Sequence, residues 1–311
     1  MRTRLAHRNA LEFQAGRPRP AAEALAAVIG LEPGAPDGRV RDSYALVVRT
    51  MVTNDALRRV AAFLADPGLA PMALAVLLRA SAEASELLVD LVVGAPTADE
   101  RRAYLGALRR LPQGTAAVSR LLARNNWKLV RDVAETAGEL RLHDVVPALA
   151  KLLVHYEPQV RLTAVGALAR IGTAATVDLL RRALSEGDRE TRILVADGIG
   201  VHARALAMPL LALAEQEEDE EVLAGYYRAL GRIGSPEAVA ALTAAAQPGG
   251  RLFGRRAAAP RIAAVEGLKA AGGPAARRAL EELLDDGDRN VREAVGRAVS
   301  LLVGRAGTQP L

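Results

Sequence analysis

The sequence predicts an all-α chain, a right-handed α-solenoid of about eight to nine helical pairs, and three observations predict it. Half of the 311 residues are hydrophobic yet only 3% are aromatic, which suits many thin aliphatic layers better than one deep core of rings. A helical face recurs every 29 to 31 residues, with one step of 38. Glycine and aspartate punctuate that recurrence in a fixed register.

Residues 1–40 are the least regular part. Pro18, Pro20, Pro33, Gly34, Pro36 and Gly38 interrupt a short helical run near Ala21 to Ile29. The reading is a divergent N-terminal capping half-repeat with a loop before Arg39. Residues 41–311 then form the repeat solenoid, with an inserted loop at about 247–260 and a terminal half-repeat.

The repeats are aligned on Met51, Ala80, Leu111, Leu140, Ile171, His202, Ile233, Ala271 and Leu302. Three residues earlier stand Val48, Leu77, Leu108, Ala137, Leu168, Ile199, Leu230, Leu268 and Val299, and offsets of three, four and seven mark one face of a helix. Nine residues after the anchors come Val60, Val89, Leu149, Leu180, Leu211, Leu242 and Leu280, a second register. Each unit is therefore two helices. Gly172, Gly234 and Gly272 follow their anchors, where a left-handed residue ends a helix without a Cβ penalty. Asp188, Asp219 and Asp288 precede first helices, where a short carboxylate accepts from free backbone N–H groups. Pro158 suits a first turn.

The 38-residue step places seven extra residues within about Gln247 to Pro260. Lengthening a surface loop there is thermodynamically mild. The insertion holds Arg251, Phe253, Arg255 and Arg256, an aromatic among arginines that anchors a protein partner, grips a phosphate by bidentate hydrogen bonds, or tucks its Phe253 onto the adjacent helix. At the far end, the helix from about Asn290 to Val303 has no partner helix in the sequence. Its Leu301, Leu302 and Val303 form an apolar patch, so this helix either docks back as a cap or meets another chain or a removed segment.

Composition excludes several classes of function. Cysteine is absent, which removes a disulfide scaffold, a thiolate zinc site and a cysteine nucleophile. No apolar run approaches the roughly 18 residues of a membrane span, and no signal-like stretch follows Met1 to Ala10. The expected location is cytoplasmic. The net charge is +5 and the pI about 9.9. All but three of the 41 basic residues are arginine, the exceptions being Lys128, Lys151 and Lys269, spread along an alanine- and arginine-rich chain. The pI is therefore weak evidence for a nucleic-acid partner.

Catalytic motifs are missing: no Walker loop, GxSxG elbow, HExxH or calcium loop occurs. His7, His143, His155 and His202 lie on different repeats without ligand spacing. His202 reads as a packing residue and His155 as a cation near a helix C-terminus. Glu217 to Glu221 reads as the solvated start of a helix, and Asp285, Asp286 and Asp288 as turn and cap residues. No catalytic residue, metal ligand or cofactor is expected.

Repeats of about 31 residues, with Val160 and Arg161 opening VRLTAVGALARIG, resemble the short HEAT repeats of bilin-lyase-like proteins over roughly residues 40–303. Arg192, Arg261 and Arg292 share the register of Arg161, while Leu223 breaks it. The resemblance implies that this arginine ties a repeat to its neighbours. It also implies that the second helices line a concave face. Ten and eleven residues after the anchors, that column reads Ala150 and Lys151, Arg181 and Arg182, Ala212 and Leu213, Thr243 and Ala244, then Glu281 and Glu282. Its sign runs from basic to acidic, whereas a phosphate-backbone groove keeps one sign along its length.

The leading expectation is a non-enzymatic protein-binding scaffold, with Lys151, Arg181, Arg182, Trp127, Arg251, Phe253, Arg255 and Arg256 as contact residues. Trp127, the only tryptophan, is either a plug between repeats or an exposed anchor. The partner expected is another protein; nucleic acid is disfavoured, no membrane is expected, and self-association would run through the C-terminal helix. The resemblance leaves two other readings. One is a HEAT-like alkylpurine DNA glycosylase or DNA-binding protein, for which Trp127 and Asp132 are the nearest candidates. The other is a bilin-lyase-like subunit acting on a cofactor-bearing protein.

Overall fold

The computed structural model describes residues 18–31, 38–249 and 257–306. Among these residues there are seventeen α-helices, a few 3-10 turns and no strand. The fold class is an α-solenoid. The chain divides into two compact units, Met1–Ala148 and Leu149–Leu311.

The first unit opens with α1 (Pro18–Leu31), whose prolines occupy the first turn, where a missing N–H costs nothing. It buries Ala21, Ala22, Leu25 and Val28 and packs on α4. Then come α2 (Gly38–Met51), α3 (Asn54–Ala61), α4 (Ala70–Gly94), α5 (Ala98–Leu108), α6 (Gly114–Leu122) and α7 (Trp127–Glu139). Thr53, Thr97 and Asn126 cap α3, α5 and α7, each side-chain oxygen accepting from the N–H three residues on.

Two departures from the periodic reading occur here. The pair anchored on Ala80 lies within α4 as two helical segments that meet, without a loop, at a sharp kink at Ser81 with φ 33° and ψ −82°. The segment SAEASELL that begins at the kink holds no glycine or proline, so the second helix starts at once. After α7, the left-handed position that Gly172 and Gly234 fill elsewhere is taken by Arg141, at φ 49°.

The second unit begins within α8 (Val146–Lys151) and continues through α9 (Pro158–Ile171), α10 (Ala174–Glu186), α11 (Arg189–Gly198), α12 (Ala207–Gln216), α13 (Glu220–Ile233), α14 (Pro236–Ala246), α15 (Ala258–Ala271), α16 (Pro274–Glu281) and α17 (Arg289–Ala306). First helices α9, α11, α13, α15 and α17 stack one on the next, and second helices α10, α12, α14 and α16 form the other layer. Leu168, Leu180, Leu230, Leu242, Leu268 and Leu280 are fully buried between the layers. Each such side chain contributes about 1.5–3 kcal/mol.

Gly172 and Gly234 end α9 and α13 in the left-handed conformation, at φ 65° and 63°. Gly272 has φ 65° but ψ −141°, and so is not the same cap. Asp188 and Asp219 cap α11 and α13 through the N–H groups of Thr191 and of Glu221 and Val222, and Asp288 does so for Asn290 and Val291. Those backbone bonds hold the Asp188 and Asp219 carboxyls below the usual range.

Helix α11 stops at Gly198, four residues before its anchor, and Arg232 donates to the freed carbonyls of Ala196 and Ile199 at 2.6 and 2.8 Å. His202 therefore lies outside the helix and is exposed, not a packing residue.

The arginine column behaves as the resemblance implies. Arg161 donates to the carbonyls of His155 and Tyr156 at 2.7 and 3.1 Å, and Arg261 to that of Ala246 at 2.8 Å, both ending the preceding second helix or turn. Arg292 donates to the carbonyl of Asp286. Forward, Arg192 pairs with Glu217 and Arg261 with Asp286 of the next repeat. Arg101 belongs to the same column, joining the carbonyl of Ala95 to the carboxylate of Asp132. It stands ten residues before Leu111, as Arg161 stands before Ile171, so the same register identifies it.

Candidate functional site

The stripe read from the second helices is present in the second unit as a solvent-facing row. Lys151 is exposed at the end of α8. One turn of superposition further, Arg181 and Arg182 of α10 are exposed and share one counter-ion, Asp178, at 2.6 and 3.0 Å. The bond from Arg181, with the charge of Arg182 beside it, holds the Asp178 carboxyl below its ordinary value. Two cations on one carboxylate leave one net positive charge, held in place by its own helix.

On α12 the row is apolar: Ala212 is exposed, Leu213 partly so, and Met208, one turn earlier, is 64% exposed. Thr243 and Ala244 of α14 continue it with small side chains. Glu281 of α16 and Glu282 just beyond it are exposed and acidic, Glu281 pairing with Arg277. The gradient from basic through apolar to acidic is thus carried on solvent-exposed positions.

The sequence reading did not mark the turn after Lys151. Val154 is 87% exposed and Tyr156 68%, the Tyr156 ring lying 4.3 Å from that of His155. Nδ1 of His155 accepts from the N–H of Glu157 at 3.0 Å, so this ring is an acceptor that shapes the turn, where the sequence suggested a cation against a helix end. With Arg161 holding two carbonyls of the same turn, an aromatic and an aliphatic side chain are presented beside Lys151 on a braced loop. A signal was available, since two large apolar residues flank a histidine just before Pro158.

Trp127, in the first unit, is half-buried at the first position of α7, with Lys128 Nζ and the Arg131 guanidinium each 5.7 Å from its ring. It is neither a full plug nor a bare anchor. Asp132 nearby is engaged by Arg131 and Arg101, which leaves its carboxylate neutralised on two sides. Arg251, Phe253, Arg255 and Arg256 lie outside the described residues. Leu301 is 58% exposed on α17 and Leu302 partly covered, while the side chain of Val303 also lies outside them.

The acidic runs are bound into the framework more than their sequence suggests. Asp219 and Glu221 pair with Arg189, and Glu217 with Arg192, so the cluster ties α11 to α13. Asp286 is buried and paired with Arg261, a deeper role than a turn residue. Among the described residues no group of His, Asp and Glu is placed to hold a metal ion, and no helix is long and apolar enough to cross a membrane.

Stacked helical pairs carrying an ordered, mixed exposed row define a repeat scaffold. Residues 114–200 and 182–259 match the HEAT repeats, so this central part of the chain is a HEAT-repeat array. The match does not distinguish the short bilin-lyase-like form. Among solved structures, human deoxyhypusine hydroxylase in complex with glycerol is similar at 20% identity over 71% of this chain and 96% of that one, with a TM-score of 0.30. Importin beta, crystallised in an ammonium sulfate condition, is similar at 12% identity over 94% of this chain and 48% of its own, with a TM-score of 0.34. An engineered protein aligns at 18% identity over 90% of this chain and 96% of its own, with a TM-score of 0.25. No curated protein matches the chain.

Proposed function

We propose that this protein is a non-enzymatic scaffold of the cytosol that binds another protein along the exposed row of its second helices. The observation that carries the reading is the ordered change of chemistry along one row. It runs from Lys151 with Val154 and Tyr156, through Arg181 and Arg182, then Met208 and Leu213, to Glu281 and Glu282. Charges of both signs separated by apolar contacts match a protein surface and fix its direction along the row. A phosphate backbone would meet repulsion at the acidic end.

Contact energy in such surfaces concentrates on aromatic and arginine side chains, which singles out Tyr156, Arg181 and Arg182 on the row; Trp127, on α7 of the first unit, is a separate contact residue in this reading. The arginines of the 247–260 loop belong to the same reading. The test is affinity purification from the native cell with wild type and a Lys151→Glu, Arg181→Glu, Arg182→Glu variant. A partner held by the first and lost by the second supports the scaffold. Equal capture by both, or no partner held even at low salt, overturns it.

A further inference from the structure

The first unit holds an apolar groove outside the row just described. Between α4 and α5 lies a cleft of about 580 Å³, walled by Pro67, Pro71, Leu74 and Leu78 and floored by Ala103 and Gly106. Leu78 is 37% exposed and Leu74 partly so. The floor is low because α5 presents alanine and glycine there: a Cβ added at Gly106 would meet no atom within 4 Å.

One end of the groove is strongly basic. Arg109 and Arg110, both exposed, line it, and Arg109 also lines a second, smaller cleft of about 100 Å³. That cleft adds Thr115, Arg141 and His143, with Asp144 as its carboxylate. Arg109 is fixed between the two by donating to the carbonyl of Leu140 at 3.0 Å. Residues 101–131 carry eight basic side chains and no acidic one, of which Arg101 and Arg131 are paired with Asp132 and Arg102 with Glu139.

We infer that this composite site takes a linear segment of a partner protein in which an aliphatic stretch adjoins carboxylates. The aliphatic side chains would fill the groove between α4 and α5, and the carboxylates would meet Arg109, Arg110 and Arg141. Charge complementarity selects this occupant. It also disfavours the chain's own first 17 residues, which hold four arginines and one glutamate. The inference deepens the scaffold reading and rests on it, adding a second recognition element of stated chemistry.

The test uses the full chain and a phage-displayed library of random peptides. Enriched sequences should place aliphatic residues next to Asp or Glu. Gly106→Leu fills the groove while improving helix propensity, so it lowers affinity for the enriched peptide by about tenfold or more without unfolding the protein. Arg110→Glu combined with Arg141→Gly should do the same, and added salt should weaken wild-type binding. Gly296→Leu, whose Cβ also meets nothing within 4 Å, serves as the control and leaves affinity unchanged.

Enrichment of basic or purely apolar peptides, no enrichment, dimerisation through the groove, or indifference to Gly106→Leu would each overturn the inference. A peptide insensitive to these changes but no longer bound by the Lys151, Arg181 and Arg182 variant would remove the groove and leave the scaffold reading standing.

Discussion

Arg261 and Asp286 form a two-pronged ion pair across consecutive repeats, with both side chains only 4% exposed. The Arg261 Nη1 to Asp286 Oδ1 distance is 3.1 Å, and Arg261 Nε donates to the carbonyl of Ala246. Asp286 also accepts from the N–H of Asp288 at 2.9 Å. One guanidinium thus joins α14, α15 and the turn before α17, directly after the 247–260 insertion.

Breaking that pair from one side leaves a buried charge uncompensated. Arg261→Met should lower the stability of the second unit by about 3–5 kcal/mol. Arg261→Met with Asp286→Leu should recover much of the loss, because the buried charge is gone as well. Urea unfolding followed by circular dichroism measures both, and a double variant as unstable as the single one would contradict the account.

Glycine at the α13–α15 crossing is a matter of space. A Cβ on Gly231 would stand 2.0 Å from the carbonyl oxygen of Gly267, and one on Gly267 would stand 2.6 Å from that of Tyr227. Gly231→Ala should cost about 1–3 kcal/mol through forced separation of the two helices. Gly296→Ala, in open space, should be neutral or stabilising by about 0.5–1 kcal/mol. Thermal midpoints separate the two outcomes.

Arg141 holds a backbone conformation that glycine adopts freely. Arg141→Gly should raise stability by about 0.4–1 kcal/mol in spite of the added chain entropy of glycine, since the left-handed residue no longer carries a Cβ. A lower unfolding midpoint for this variant would mean that the arginine side chain contributes more to the fold than its exposure indicates.

The pH dependence has an alkaline and an acid limb. Burial raises the phenols of Tyr226 and Tyr104, with nearby Glu217 and Glu100 adding to the effect. A raised folded value means stability is complete below the unfolded value near 10 and is lost as pH rises through the folded one. Tyr226→Phe should soften that limb and also cost about 1–2 kcal/mol at neutral pH, because the hydroxyl donates to the carbonyl of Leu184 at 2.7 Å. On the acid limb, the lowered carboxyls of Asp178, Asp188 and Asp219 contribute stability above the unfolded value near 4, lost as pH falls through their folded values. Melting temperatures between pH 2 and 11 should fall at both ends, and Asp188→Ala with Asp219→Ala should flatten the acid side.

Trp127 is the single tryptophan and reports on its own surroundings. Partner binding that covers it should shift its emission to shorter wavelength, and Trp127→Ala should weaken capture with little loss of helicity. An emission spectrum unchanged at saturating partner would place the interface elsewhere.

The sequence by itself determined the two-helix repeat, most of its anchors and the helix caps at Asp188, Asp219 and Asp288, because each follows from local periodicity and backbone chemistry; the linking arginine came from the resemblance, and the anchor at His202 failed because α11 ends at Gly198. The resemblance marked Lys151, Arg181 and Arg182 as a row, each one or two places after a buried second-register leucine, Leu149 or Leu180. Only the tertiary structure decided that Asp286 is a buried partner of Arg261, that Glu217 and Asp219 bind neighbouring arginines, and that small residues on α5 leave a groove against α4. Those facts depend on which side chains from different repeats meet. Distance along the chain carries no such information, because close packing between helices is set by the joint shape of both surfaces.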